Sequence, residues 1–94
     1  MSDQNEKRVL QMDMLNRDIA HAQGAIEAAQ IAMSAVQHGD DVPQVLTEHA
    51  AVTAVDLSRA SRVPGSHVRE IRLDSRLESL QTYRSLLRKG GTFG

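Results

Sequence analysis

Eight residues near the start of the chain constrain it most: Met12, Leu15, Ile19, Ala22, Ile26, Ala29, Met33 and Val36. Their steps alternate between three and four residues, which is the spacing of the inward positions of a coiled-coil seam. A strand would place apolar residues at every second position, so this segment reads as a helix. Its expected span is about residues 3 to 37, with Ser2 as N-cap and Asp3 and Glu6 in the first turn. His38-Gly39 closes it, because glycine accepts the left-handed backbone of a helix stop. Such a helix is roughly 50 Å long, whereas a compact domain of this size is only about 30–35 Å across. The sequence therefore predicts a projecting rod whose apolar edge would stand in water unless another helix covers it. These eight residues are the predicted self-association surface, and the expected partner is a second copy, giving at least a dimer.

Small residues crowd the middle of the same helix: Ala22, Ala25, Ala28, Ala29, Ala32 and Ala35, with Gly24 beside them. Small side chains let helix axes approach closely, so this centre predicts tight antiparallel or multi-helix packing. The alternative is an alanine-rich helix with high intrinsic propensity and no special packing. The rest of the composition agrees with helix on helix. One Tyr, one Phe and no Trp leave the apolar content to aliphatic side chains, which suit helix packing better than a deep ligand pocket. The absence of Cys excludes disulfides and any Cys-ligated metal site. No stretch of 18 apolar residues predicts a membrane span, and Met1 to Arg8 lacks an apolar signal region. A cytoplasmic setting without membrane partners is the expectation.

Two further helices follow. Asp41 can cap a second helix of about residues 42–62, with Pro43 in its first turn and Gln44 placed as in a capping box. Val42, Leu46, Ala50, Thr53, Leu57 and Ala60 form its apolar stripe. Val63-Pro64-Gly65 breaks the chain, and Ser66 can cap a third helix of about residues 66–89. That helix is expected to bury Val68, Ile71, Leu73, Leu77, Leu80, Tyr83 and Leu87. A tail of residues 90–94 ends the chain; its Phe93 either docks on a neighbour or is unstructured. The predicted fold is one all-α domain, a long coiled-coil-like helix followed by two shorter ones, with the bundle completed by oligomerisation.

Little in the sequence suggests catalysis. His21, His38, His49 and His67 form no pair at helical spacing, and no carboxylate cluster completes a metal site. There is no phosphate-binding glycine loop, no dinucleotide pattern and no nucleophile elbow. The expectation is a protein without cofactor or metal that is not an enzyme. The charge, −1 overall, is strongly divided. Lys7, Arg8 and Arg17 face nine acids in residues 1–58, for a net −6, whereas residues 59–94 carry +5. Either the basic half engages an acidic partner, or the two halves pair with each other.

One segment, Thr53 to Ile71, resembles a DNA-binding helix-turn-helix, with Leu57, Ser58, Val63, Val68 and Ile71 at the matching positions. Arg62 stands where such motifs usually carry glycine. The resemblance implies that Ser66, His67, Arg69 and Arg72 would face the major groove or its phosphates, with Arg59, Arg62 and Arg76 adding charge beside it.

The leading expectation is a helical oligomer that acts by binding a protein with an acidic surface, as an adaptor, assembly factor or small inhibitor. Arg69, Arg72 and Arg76 are the expected contacts. The alternative is a dimeric helix-turn-helix regulator bound to nucleic acid. A weaker alternative is a binder of a small anion, such as a nucleotide, held by arginines between protomers.

Overall fold

The computed structural model describes residues 2–64 and 66–89. Gly65 and residues 90–94, with Phe93, lie outside the described residues. The chain is all-α: α1 (Ser2–Gln37), α2 (Val42–Ala60) and α3 (His67–Arg88). Ser2 stands inside α1 rather than ahead of it, so the expected N-cap position is already helical. At the other end Gly39 has φ +70°, and the Asp40 amide donates to the Ala35 carbonyl at 3.0 Å. This is the left-handed stop that His38-Gly39 predicts. His38 reinforces it: its Nδ1 lies 2.7 Å from the Ser34 carbonyl oxygen, where a ring N–H donates a second bond to the carbonyl that also accepts the His38 amide at 3.0 Å.

The connection between α2 and α3 is capped differently from the sequence expectation. Ser66 precedes α3, but its hydroxyl makes no bond to the start of that helix. Its single proton is shared instead between the carbonyls of Ala60 and Val63. It therefore satisfies the end of α2, where carbonyls lack helical partners. Asp41 occupies the N-cap position of α2 without a side-chain cap bond. Gln44 does not reach back as a capping box would; its amide donates to Glu48 at 3.2 Å. Pro43 lies in the first turn, where a missing N–H costs nothing.

α1 runs up, α2 down and α3 up again, so α1 and α3 are parallel. Contacts climb in step along this pair: Asp13 with His67, His21 with Ser75, Glu27 with Arg76. α3 lies between the other two helices and packs extensively on both, whereas α1 and α2 touch little. The core is small, with Ala28, Ala32, Leu46 and Leu80 at its centre. Ile31, Val42, Ala50, Tyr83 and Leu87 close around it. The apolar stripe expected of α2 is the stripe it buries, with Leu46, Thr53 and Ala60 innermost. In α3 the buried set is Leu73, Ser75 and Leu80, while Val68 is exposed, contrary to expectation, because it lies in the first turn beyond the cover of α2.

The decisive packing feature is the face that α1 turns inward. It is made of Ala20, Gly24, Ala28, Ala32 and Ala35, all buried. Steps of four and then three place them on one side of the helix. At Gly24 the two backbones nearly touch. A Cβ there would overlap the Arg72 carbonyl oxygen and approach the Arg76 amide nitrogen to 2.7 Å. Just there Ser75, 2 % exposed, donates its hydroxyl to the His21 carbonyl at 2.6 Å. The small residues thus serve close packing, with α3 as a parallel rather than an antiparallel neighbour.

Candidate interaction surfaces

Two surfaces follow from this packing, one apolar and one basic. The apolar surface is the seam. Ile26 lies two residues from both Gly24 and Ala28, about 200° around the helix from each. Ala22 stands in the same relation to Ala20 and Gly24. The seam therefore runs along the side of α1 that points away from α2 and α3. Its large members, Met12, Leu15, Ile19, Ile26, Met33 and Val36, are each between 53 and 61 % exposed. Ala22 is also exposed and Ala29 half-buried. From Met12 to Val36 the stripe extends roughly 36 Å at helical rise. Toward its C-terminal end it is bordered by an apolar groove between α1 and α3, lined by Ala29, Ala32, Met33, Val36, Gln37 and Tyr83.

The N-terminal part of α1 adds apolar residues that lie off the seam. α3 begins opposite Asp13, so the preceding turns overhang the bundle. Val9, Leu10 and Met14 are 67, 62 and 64 % exposed. Regular spacing does not mark them, because they spread around the helix rather than along one line. The available signal was the run Val9-Leu10 and Met12, Met14, Leu15 beyond the reach of a second helix.

The basic residues expected to act together are divided by the fold. Arg76 is drawn inward, 20 % exposed. Its Nε donates to Thr53 Oγ1 at 2.9 Å, one terminal nitrogen donates to Glu27 at 3.2 Å, and the other lies 3.7 Å from Asp56. One guanidinium thereby ties α3 to α1 and α2, which the rigid fork of arginine suits well. Arg72 lies 3.6 Å from the other Glu27 oxygen, an ion pair too long to be a hydrogen bond. His67 approaches Asp13 at 3.3 Å, and Arg17 holds the same carboxylate at 3.1 Å. The acidic and basic halves therefore do meet within one chain, through Glu27 and Asp56 with Arg72 and Arg76. Arg59, Arg62 and Arg69 remain exposed. Ser66 is occupied by its bonds to the end of α2. Of the basic residues expected to act together, those left exposed cluster at the α2–α3 corner, while Arg88 and Lys89 are exposed at the opposite end of α3.

The same geometry bears on the helix-turn-helix resemblance. Thr53 falls in the middle of an unbroken α2 rather than at a helix start, and its hydroxyl is buried against Arg76. Val63 is 55 % exposed and Val68 36 % exposed, so two of the matching apolar positions do not anchor a core. Among the described residues no three His, Asp or Glu side chains gather as metal ligands. No helix of the described residues is long and apolar enough to cross a membrane. No family model, curated protein or solved structure matches this chain. The molecule is defined by its own architecture: a small three-helix bundle carrying an uncovered coiled-coil seam.

Proposed function

We propose that this protein is a non-enzymatic interaction protein that self-associates through α1 and presents its basic corner to an acidic macromolecular partner, as an adaptor, assembly factor or small inhibitor. One observation carries the reading: a regular apolar seam more than three heptads long lies on the side of α1 that its own bundle leaves uncovered. Contiguous apolar strips of this length mark association surfaces in soluble proteins. The fold has no need of the seam for its own core, which uses the small-residue face. Arg59, Arg62 and Arg69 supply the exposed positive charge for the second contact.

Sedimentation equilibrium over a wide concentration range tests the self-association. The wild-type chain is expected to exceed its single-chain mass, and Ile19→Asp with Ile26→Asp to return it to one chain with helicity intact. A single-chain mass for wild type at every concentration would remove the reading.

Nucleic acid is the second reading, and the exposed Arg59, Arg62 and Arg69 at one corner favour it. Binding to duplex DNA that weakens steeply with salt, and is lost on replacing those three arginines by alanine, would support it. No binding at low salt would discard it.

A further inference from the structure

The size pattern of the seam has a polarity of its own. Assigning Met12 to the first inward position places Met12, Ile19, Ile26 and Met33 at one class of core position and Leu15, Ala22, Ala29 and Val36 at the other. The first class holds only long or branched side chains, and the second has alanine in its two central layers. In a parallel pair, like positions meet like. The central layers would then alternate Ile19 with Ile19, Ala22 with Ala22, Ile26 with Ile26 and Ala29 with Ala29. Two rigid helices cannot be far apart at one layer and close at the next, so the alanine layers would be left as voids.

Reversing one helix removes the conflict. The pairs become Met12 with Val36, Leu15 with Met33, Ile19 with Ala29 and Ala22 with Ile26. Every central layer then holds one isoleucine and one alanine, and the layer volume is even along the middle of the seam. Charge follows the same register. Lys7 and Arg8 lie before the first seam residue, and Asp40 and Asp41 follow the last. An antiparallel pair brings the two bases of one copy to the two acids of the other, at both ends. They also meet the negative end of the partner's α1, where cations are favoured. A parallel pair would instead set Arg8 beside Arg8 and Asp40 beside Asp40, with Asp3 and Glu6 offsetting part of the repulsion at the N-terminal end. The groove beside Met33 and Val36 lies where Met12 and Leu15 of the second copy would arrive.

We infer that the occupant of the seam is a second copy of this chain in antiparallel orientation, forming a two-fold dimer centred near residue 24 of α1. This rests on the self-association reading and specifies its geometry. The chain has no cysteine, so introduced thiols report orientation without background. Leu15→Cys and Met33→Cys chains, one carrying a tag to distinguish its mass, are mixed and mildly oxidised. The two positions are about 27 Å apart along one helix, far beyond the reach of a disulfide unless the helices are reversed. The expected product is the mixed disulfide, with little product from either variant alone.

Same-variant disulfides, or a two-chain mass in sedimentation without the mixed disulfide, would overturn the antiparallel geometry and leave self-association standing. A single-chain mass for wild type overturns both. An association-competent Leu15→Ala chain, measured alongside, guards against a cysteine that disrupts the seam. If Leu15→Ala is itself monomeric, the Met12→Cys and Val36→Cys mixture, with positions about 36 Å apart along one helix, replaces the first pair. The same mixed product is then expected, and same-variant product overturns the geometry.

Discussion

Gly24 is where a single atom decides the packing of this protein. Alanine in the middle of an exposed helix gains about 1 kcal/mol over glycine from propensity alone. Here the added methyl would strike the Arg72 carbonyl and crowd the Arg76 amide, and backbone atoms cannot swing aside as a side-chain tip can. Overpacking of this kind costs about 1–3 kcal/mol and occasionally more. Gly24→Ala is therefore expected to lower stability in urea unfolding, by up to about 2 kcal/mol net of the propensity gain. A stabilised variant would mean that α1 and α3 are not in backbone contact. Arg76 decides the polar side. Its removal leaves the Glu27 and Asp56 carboxylates without their shared cation and the buried Thr53 oxygen without its donor. Arg76→Ala is expected to cost about 1–3 kcal/mol, whereas Arg69→Ala, on the exposed corner, stays within about 0.5 kcal/mol. Equal losses in the two variants would contradict the assignment of Arg76 to the bundle and Arg69 to the surface.

At the scale of elements, α1 is a helix with two working faces, and the sequence displays them unequally. The seam is legible because Met, Leu and Ile stand out at regular steps. The inward face is legible only in part: the small-residue centre marks Gly24, Ala28, Ala32 and Ala35 for close packing, but it also takes in Ala22, Ala25 and Ala29 and omits Ala20, and only α3 against the helix shows which of them are buried. For the same reason Ser75 looks like an ordinary helix-face serine until the His21 carbonyl, fifty-four residues away, is beside it. The α2 stripe was readable throughout, since Leu46, Thr53 and Ala60 follow one line and all end up buried. The basic site was the least readable part. A count of arginines does not distinguish Arg76, enclosed by two carboxylates, from Arg69 in solvent, because the distinction depends on which residues α1 and α2 bring alongside. The two faces of α1 should separate in mutagenesis. At concentrations too low for association, Ile26→Asp is expected to change the unfolding midpoint little, consistent with a surface substitution. Ala28→Leu, which forces a larger side chain into a fully buried position, is expected to cost about 1–3 kcal/mol. The order of these two effects, read by thermal unfolding, reports which face the single chain uses.

The whole molecule is elongated, measuring 57 × 30 × 21 Å with a radius of gyration of 16.4 Å. A compact chain of this length would have a radius of gyration of about 12 Å, and the overhanging start of α1 accounts for much of the excess. Its shape gives the antiparallel arrangement a consequence that a small patch would lack: the end charges meet twice, once at each end of a two-fold pair. Single exposed ion pairs contribute only about 0.2–1 kcal/mol, but symmetry doubles the number and reversal replaces attraction with repulsion. Arg8→Glu is expected to weaken association by about 1–2 kcal/mol, roughly five- to thirtyfold in the dissociation constant. Combining it with Asp40→Arg restores the opposite signs at both ends, so the double variant should return most of the wild-type affinity although each single variant loses it. Salt supplies an independent check. The screening length falls to about 3 Å in 1 M salt, so the gap between Arg8→Glu and wild type should close there while the apolar seam continues to hold the pair. A gap that persists in high salt would mean that Arg8 acts through packing. Failure of the double variant to recover would mean that Arg8 and Asp40 do not meet across the interface.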